Sequence, residues 1–176
     1  AALAQHMDKD KDLLFVYLTS HGSRDHQLQI DMRGMMLPQL PAKRLGELLK
    51  ASGIRHQVVV VSACYAGGLI APLASPTTWV LTAARADRTS FGCADENDFT
   101  YFGRALFKES LPQAESLTGA FEQAKGLVVT WERELGAEGE ASDKPGEAGQ
   151  ADAAGKRAKV KAKDEGLAHS EPQMSV

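Results

Sequence analysis

Four consecutive valines, Val58 to Val61, constrain this chain more than any other stretch. An unbroken run of β-branched residues suits a strand covered on both faces, the kind found inside a parallel sheet. The run passes through Ser62 and Ala63 and delivers Cys64 at its carboxyl end. Tyr65, Ala66, Gly67 and Gly68 follow, then a helix-like stretch from Leu69 to Leu73. In open α/β sheets ligands bind in the crevice beyond the strand carboxyl ends. The residue with strong intrinsic nucleophilicity therefore stands where such folds keep their chemistry.

A second apolar run, Leu13 to Thr19, ends in the same way on Ser20-His21-Gly22-Ser23. If the two strands are parallel neighbours, His21 and Cys64 meet at one edge of the sheet. A thiol beside an imidazole can exist as thiolate and imidazolium, the reactive form. His21 precedes Cys64 by about forty residues, an order and gap similar to the caspase signature. Taken alone, Cys64 reads equally as a packing thiol, because free cysteine is commonly buried. His21 alone reads as structural, so the pairing carries the functional reading.

Between these strands, Gln27 to Asp31 alternates and Met35 to Leu37 follows Arg33-Gly34, which predicts a small hairpin turned at Met32-Arg33-Gly34. Leu45, Leu48 and Leu49 predict an amphipathic helix over 42–51, ended by Ser52-Gly53. Thr77 to Thr82 reads as a third buried strand. The acidic loop Asp95 to Asp98 is placed to cap a helix from about Phe99, with Tyr101, Phe102, Ala105 and Leu106 on one face. Ser116 caps a longer helix, Leu117 to about Leu135, with Phe121, Ala124, Val128 and Trp131 on one stripe. Strands alternating with helices over short links predict an α/β fold with a mostly parallel sheet.

At 136 the composition changes. Ala, Gly, Glu, Lys and Asp dominate, and large apolar residues almost vanish. Such a segment cannot bury enough surface to offset its ordering entropy. The predicted organisation is a core over 1–136, a charged, disordered low-complexity insertion over 137–169, and the start of a last strand over 170–176.

Several function classes fall away. A net charge of −3 leaves no basic field for nucleic acid. No apolar run approaches the roughly 20 residues of a membrane span, and no signal-peptide pattern is present, although a start at Ala1 reads as a fragment. Two cysteines and five scattered histidines give no metal-ligand spacing, so no metal and no cofactor are expected. Cys93 reads as a wall or core residue; a Cys64–Cys93 disulfide is a minor alternative. His6, His26, His56 and His169 are expected at the surface. A phosphatase loop would need an arginine soon after Cys64, and none occurs from Tyr65 to Pro72; the Gly-x-Ser-x-Gly elbow, the phosphate-binding Gly-x-x-x-x-Gly-Lys loop and a dinucleotide fingerprint are also absent.

Tyr17-Leu-Thr-Ser-His21-Gly-Ser and Val61-Ser-Ala-Cys64-Tyr-Ala-Gly-Gly resemble the two catalytic signatures of the legumain family of cysteine peptidases. The stretches Leu81 to Ala84, Thr89 to Cys93, Tyr101 to Gly103 and Pro172-Gln173 resemble its bacterial members. The resemblance implies a caspase-like three-layer sandwich whose first core strand would precede Ala1. It implies a cysteine endopeptidase acting on peptide or protein substrates through a Cys-His dyad and a thioester. By this resemblance Cys64 attacks the scissile carbonyl, His21 protonates the leaving amine and then activates water, and the N–H groups of Gly22 and Cys64 form the oxyanion hole. A transamidase using the same thioester, or a silent binding module on the same fold, are the alternatives. Legumain proper carries acidic residues where this chain has Ser62 and Arg104, so a weakened asparagine preference is expected, with an acidic or different residue accepted before the scissile bond. Ser62, Arg85, Ser90 and Arg104 are candidate pocket residues. The compartment is left open; relatives are often exported or tethered to membranes.

Overall fold

The valine run forms the second strand of a four-stranded sheet in the computed structural model, which describes residues 3–32, 34, 35, 37–92, 98–141 and 169–176. Across the sheet lie β1 (Leu13–Thr19), β4 (His56–Ser62), β5 (Thr78–Thr82) and β6 (Gln173–Ser175). The first three are parallel and β6 is antiparallel to β5. Val59, Val60 and Val61 have no exposed surface, because each face of β4 is covered by helices.

Strand periodicity sends alternate valines to opposite layers. Val59 and Val61, with Val80 of β5, pack on Leu45 of α1 (Ala42–Ser52) and Leu73 of α2 (Ile70–Leu73). Val58 and Val60, with Leu81, pack on Phe102 of α3 (Tyr101–Gly103), on Ala105 and Leu106 of its π-helical continuation (Arg104–Ser110), and on Phe121, Ala124 and Val128 of α4 (Leu117–Ala141). The result is the expected α/β architecture, a mostly parallel sheet between two helical layers. β1 lies at an edge, so Leu13, Phe15 and Tyr17 stay exposed, with Phe107 set edge-to-face on the last two rings.

Helix ends follow local chemistry. Gly53 stops α1 in the left-handed region at φ 72°, and its N–H reaches the Lys50 carbonyl at 3.1 Å. Ser116 Oγ accepts the Gly119 N–H at 3.1 Å at the head of α4. The cap of α3 is Thr100, whose Oγ1 accepts from the Gly103 N–H at 3.0 Å; of the acidic loop expected there, 95–97 lie outside the described residues.

The hairpin turns where expected, with the Met35 N–H on the Met32 carbonyl at 2.9 Å, but its arms pair elsewhere. β2 (Gln27–Leu28) pairs with β3 (Leu40–Pro41), and Met32 and Met35 meet only in an isolated bridge at the tip. Leu28 is buried with Leu40 opposite it, whereas Met32 and Met35 are exposed. Burial of the leucine therefore sets the register. α4 runs on to Ala141, past the expected boundary, while 142–168 and Cys93 lie outside the described residues.

One turn beyond Val128 the apolar stripe of α4 meets a carboxylate. Glu132 is fully buried; its Oε2 accepts the Ser170 N–H at 3.0 Å and lies 3.1 Å from His169 Nδ1. This contact anchors the lead-in to β6. Replacing Glu132 with alanine opens a cavity and leaves the Ser170 N–H unpaired, a loss of roughly 2–4 kcal/mol. Urea unfolding, with hydrogen exchange of the Gln173–Ser175 amides, checks this. Unchanged stability and unchanged exchange would show that the contact holds nothing in place.

Candidate active site

Register brings the two chemical residues together. Thr19 pairs with Ser62 at the ends of β1 and β4, and the Ser20 N–H continues the ladder to the Ser62 carbonyl at 3.2 Å. His21 and Cys64 each stand two residues beyond that pair, at the same sheet edge, on strands about 4.8 Å apart. His21 is exposed and lines an open cavity of about 900 Å³ with Thr19, Ser20, Asp31, Phe99 and Thr100. Cys64 is half-buried. The Ser90 N–H donates to its sulfur at 3.3 Å, and Ser90 Oγ lies 3.7 Å away. The thiol is thus held by Ser90 and makes no hydrogen bond to His21. Nucleophile–base bonds are often open in substrate-free sites and tighten when substrate binds.

Gly22 fits the edge because it has no side chain. A Cβ there would lie 2.1 Å from the Cys64 carbonyl oxygen. Among the described residues, neither the Gly22 N–H nor the Cys64 N–H donates a hydrogen bond. Among the described residues these two unpaired amides stand on the adjacent turns that follow β1 and β4.

The other candidate residues divide. Ser62 is buried one layer back, its Oγ 2.7 Å from Oγ1 of the cavity-lining Thr100. Arg85 is paired with Asp87 and Glu171, beside β6. The Arg85 guanidinium holds the Asp87 carboxyl down at about 2, below the usual carboxylate range. Arg104 bonds Glu109 and lies over the Trp131 ring at 4.9 Å, on the helical layer. Neither arginine lines the cavity beside His21.

Three residues, in two contacts, are not marked by the sequence pattern. His169 and Glu132 form the buried contact described above. His26 is half-buried, with Nδ1 3.0 Å from the Tyr65 carbonyl. No periodicity marks either, since both contacts join elements distant in sequence. Among the described residues no group of three metal-ligating side chains occurs, and no helix is long and apolar enough to cross a membrane.

A mostly parallel sheet between helical layers, with an imidazole and a thiol at one edge, defines an α/β domain of caspase-like type. Residues 4–147 match the profile of the peptidase C13 family. The chain belongs to that family, the legumain family of cysteine peptidases. Membership carries cysteine-peptidase-type function and protein substrates. No curated protein matches the chain.

Proposed function

We propose that this domain is a cysteine endopeptidase whose Cys64 attacks the scissile carbonyl and whose His21 handles the protons. The register of β1 on β4, which ends both strands at one edge where His21 lines an open cavity, is the observation that carries the reading. Attack by the sulfur forms a C–S bond and places negative charge on the carbonyl oxygen. The N–H groups of Gly22 and Cys64, unpaired among the described residues, are suited to receive that oxygen, and donors of this kind are worth about 10²–10³ in rate. Imidazolium at His21 then gives its proton to the departing amine. The thioester remains, and the neutral ring takes a proton from water as the hydroxide adds to it. Hydrolysis frees the acid and regenerates the thiol.

The peptide side chain before the scissile bond is received by the cavity beside His21. Thr19, Ser20 and Thr100 offer hydroxyl groups there, and Arg104 contributes no positive charge because Glu109 and Trp131 hold it elsewhere. With Ser62 in place of a family acid, asparagine preference is weakened. A peptide library varied at that position, with mass analysis of the products, tests the proposal. Cleavage after several residue types is expected. Exclusive cleavage after asparagine would overturn the specificity reading, and no cleavage of any peptide would overturn the activity. Added amine that appears in the product would mark transamidation instead.

A further inference from the structure

We propose that His26 is a positioning residue that locks the turn following the nucleophile, an inference that builds on the peptidase reading above. Tyr65, next to Cys64, has φ 57° and ψ 18°, a sparsely populated conformation for a bulky residue. Such a conformation persists where its surroundings fix it. The Tyr65 N–H donates to the Arg88 carbonyl at 2.7 Å, and the Tyr65 carbonyl accepts from the Gly68 N–H at 3.2 Å and from His26 Nδ1 at 3.0 Å. A carbonyl only accepts, so Nδ1 carries the proton. The Arg24 guanidinium covers the Tyr65 ring at 5.9 Å.

His26 is itself held at φ 57°. Its N–H donates to the Ser23 carbonyl at 2.9 Å, and its carbonyl accepts the Ala42 N–H, at the first residue of α1, at 3.2 Å. The imidazole lies against Gly68, where a Cβ would come within 2.1 Å of Nδ1. Gly68 therefore leaves room for the ring, and the ring fixes the Tyr65 peptide. Through His26, the turn that carries His21 is fastened to the turn that carries Cys64. The two halves of the dyad come from different strands, and this contact makes their separation a fixed distance.

The test compares His26→Ala and His26→Asn in the full chain. Asparagine enters the left-handed region readily, and its side-chain nitrogen is as many bonds from Cβ as Nδ1 is. His26→Ala is expected to lower kcat about 10–100-fold, the scale of a misplacement near 1 Å. KM should stay within about 3-fold, because the loss falls on the chemical step. The alkylation rate of Cys64 by iodoacetamide, mapped by mass spectrometry, should fall with it. His26→Asn should restore both to within about 3-fold. Gly68→Ala, which displaces the ring without removing it, should reproduce the alanine variant and serves if that variant fails to fold. Wild-type kcat and alkylation in His26→Ala or Gly68→Ala, or no recovery in His26→Asn, would overturn the assignment. A wild-type chain that cuts no peptide, yet shows His26-dependent alkylation of Cys64, would sink the peptidase reading and leave the positioning role standing.

Discussion

Replacing Cys64 with alanine is expected to reduce peptide hydrolysis to the detection limit, a loss on the order of 10⁴–10⁶-fold, with the fold intact. The sulfur supplies the bond that divides a slow hydrolysis into two faster steps, and among the described residues no neighbouring group replaces it. The Ser90 hydroxyl lies 3.7 Å from the sulfur and belongs to the wall that holds it. His21→Ala is expected to lose activity on a similar scale, because thiol and imidazole act as a unit. For the same reason the double variant should be no worse than either single one, and this non-additivity is the signature of a dyad. An acyloxymethyl ketone probe gives the second readout. It should label Cys64 in the wild type, fail on Cys64→Ala, and label His21→Ala far more slowly. His21 is exposed and Cys64 half-buried, so neither change should move stability by more than about 0.5 kcal/mol. Labelling that ignores the loss of His21 would mean that the two residues share an edge without sharing a reaction.

The second large effect is expected from a single methyl group at Gly22. Its Cβ would lie 2.1 Å from the Cys64 carbonyl oxygen, 3.1 Å from the Cys64 carbonyl carbon and 3.3 Å from the Ala63 Cβ. A flexible side chain could swing away, whereas a backbone carbonyl can move only if the end of β4 moves. Gly22→Ala must therefore part the two strand ends or turn a peptide. Either response misaims the Gly22 and Cys64 N–H groups proposed to receive the carbonyl oxygen. A loss of about 10²–10³ in kcat is expected, the scale of one removed donor. Overpacking should also cost about 1–3 kcal/mol in a denaturant melt. Gly126→Ala is the matched control. Nothing lies within 4 Å of a Cβ there, on the exposed face of α4, so alanine should stabilise the helix by up to about 1 kcal/mol and leave turnover unchanged. Near-wild-type turnover in a folded Gly22→Ala would remove the oxyanion assignment.

Local pattern foretold much of the framework. The valines gave a strand buried on both faces, Gly53 and Ser116 marked helix ends, and the stripe Phe121, Ala124, Val128 faced the core. Each is a property of a few adjacent residues with a fixed period, so each is readable from the chain. The hairpin turns at Met32 to Met35 as the sequence predicts, but its arms pair Leu28 with Leu40 further from the turn, because burial outweighs proximity. His26 and Glu132 look like surface residues because their partners, Tyr65 and Ser170, lie far along the chain. Arg104 is a pocket candidate by its place after Tyr101-Phe102-Gly103, and its contacts with Glu109 and Trp131 become visible only in the folded helical layer.

The order of residues by itself determined that two apolar strands would end on a histidine and a cysteine, since side-chain branching and hydrophobicity act locally. Only the tertiary structure decided which strands lie side by side, which N–H groups stay unpaired, and which polar groups enter the interior. Those outcomes depend on packing between segments that a linear reading keeps apart, and the free energy of such contacts belongs to the assembled layers rather than to any one stretch.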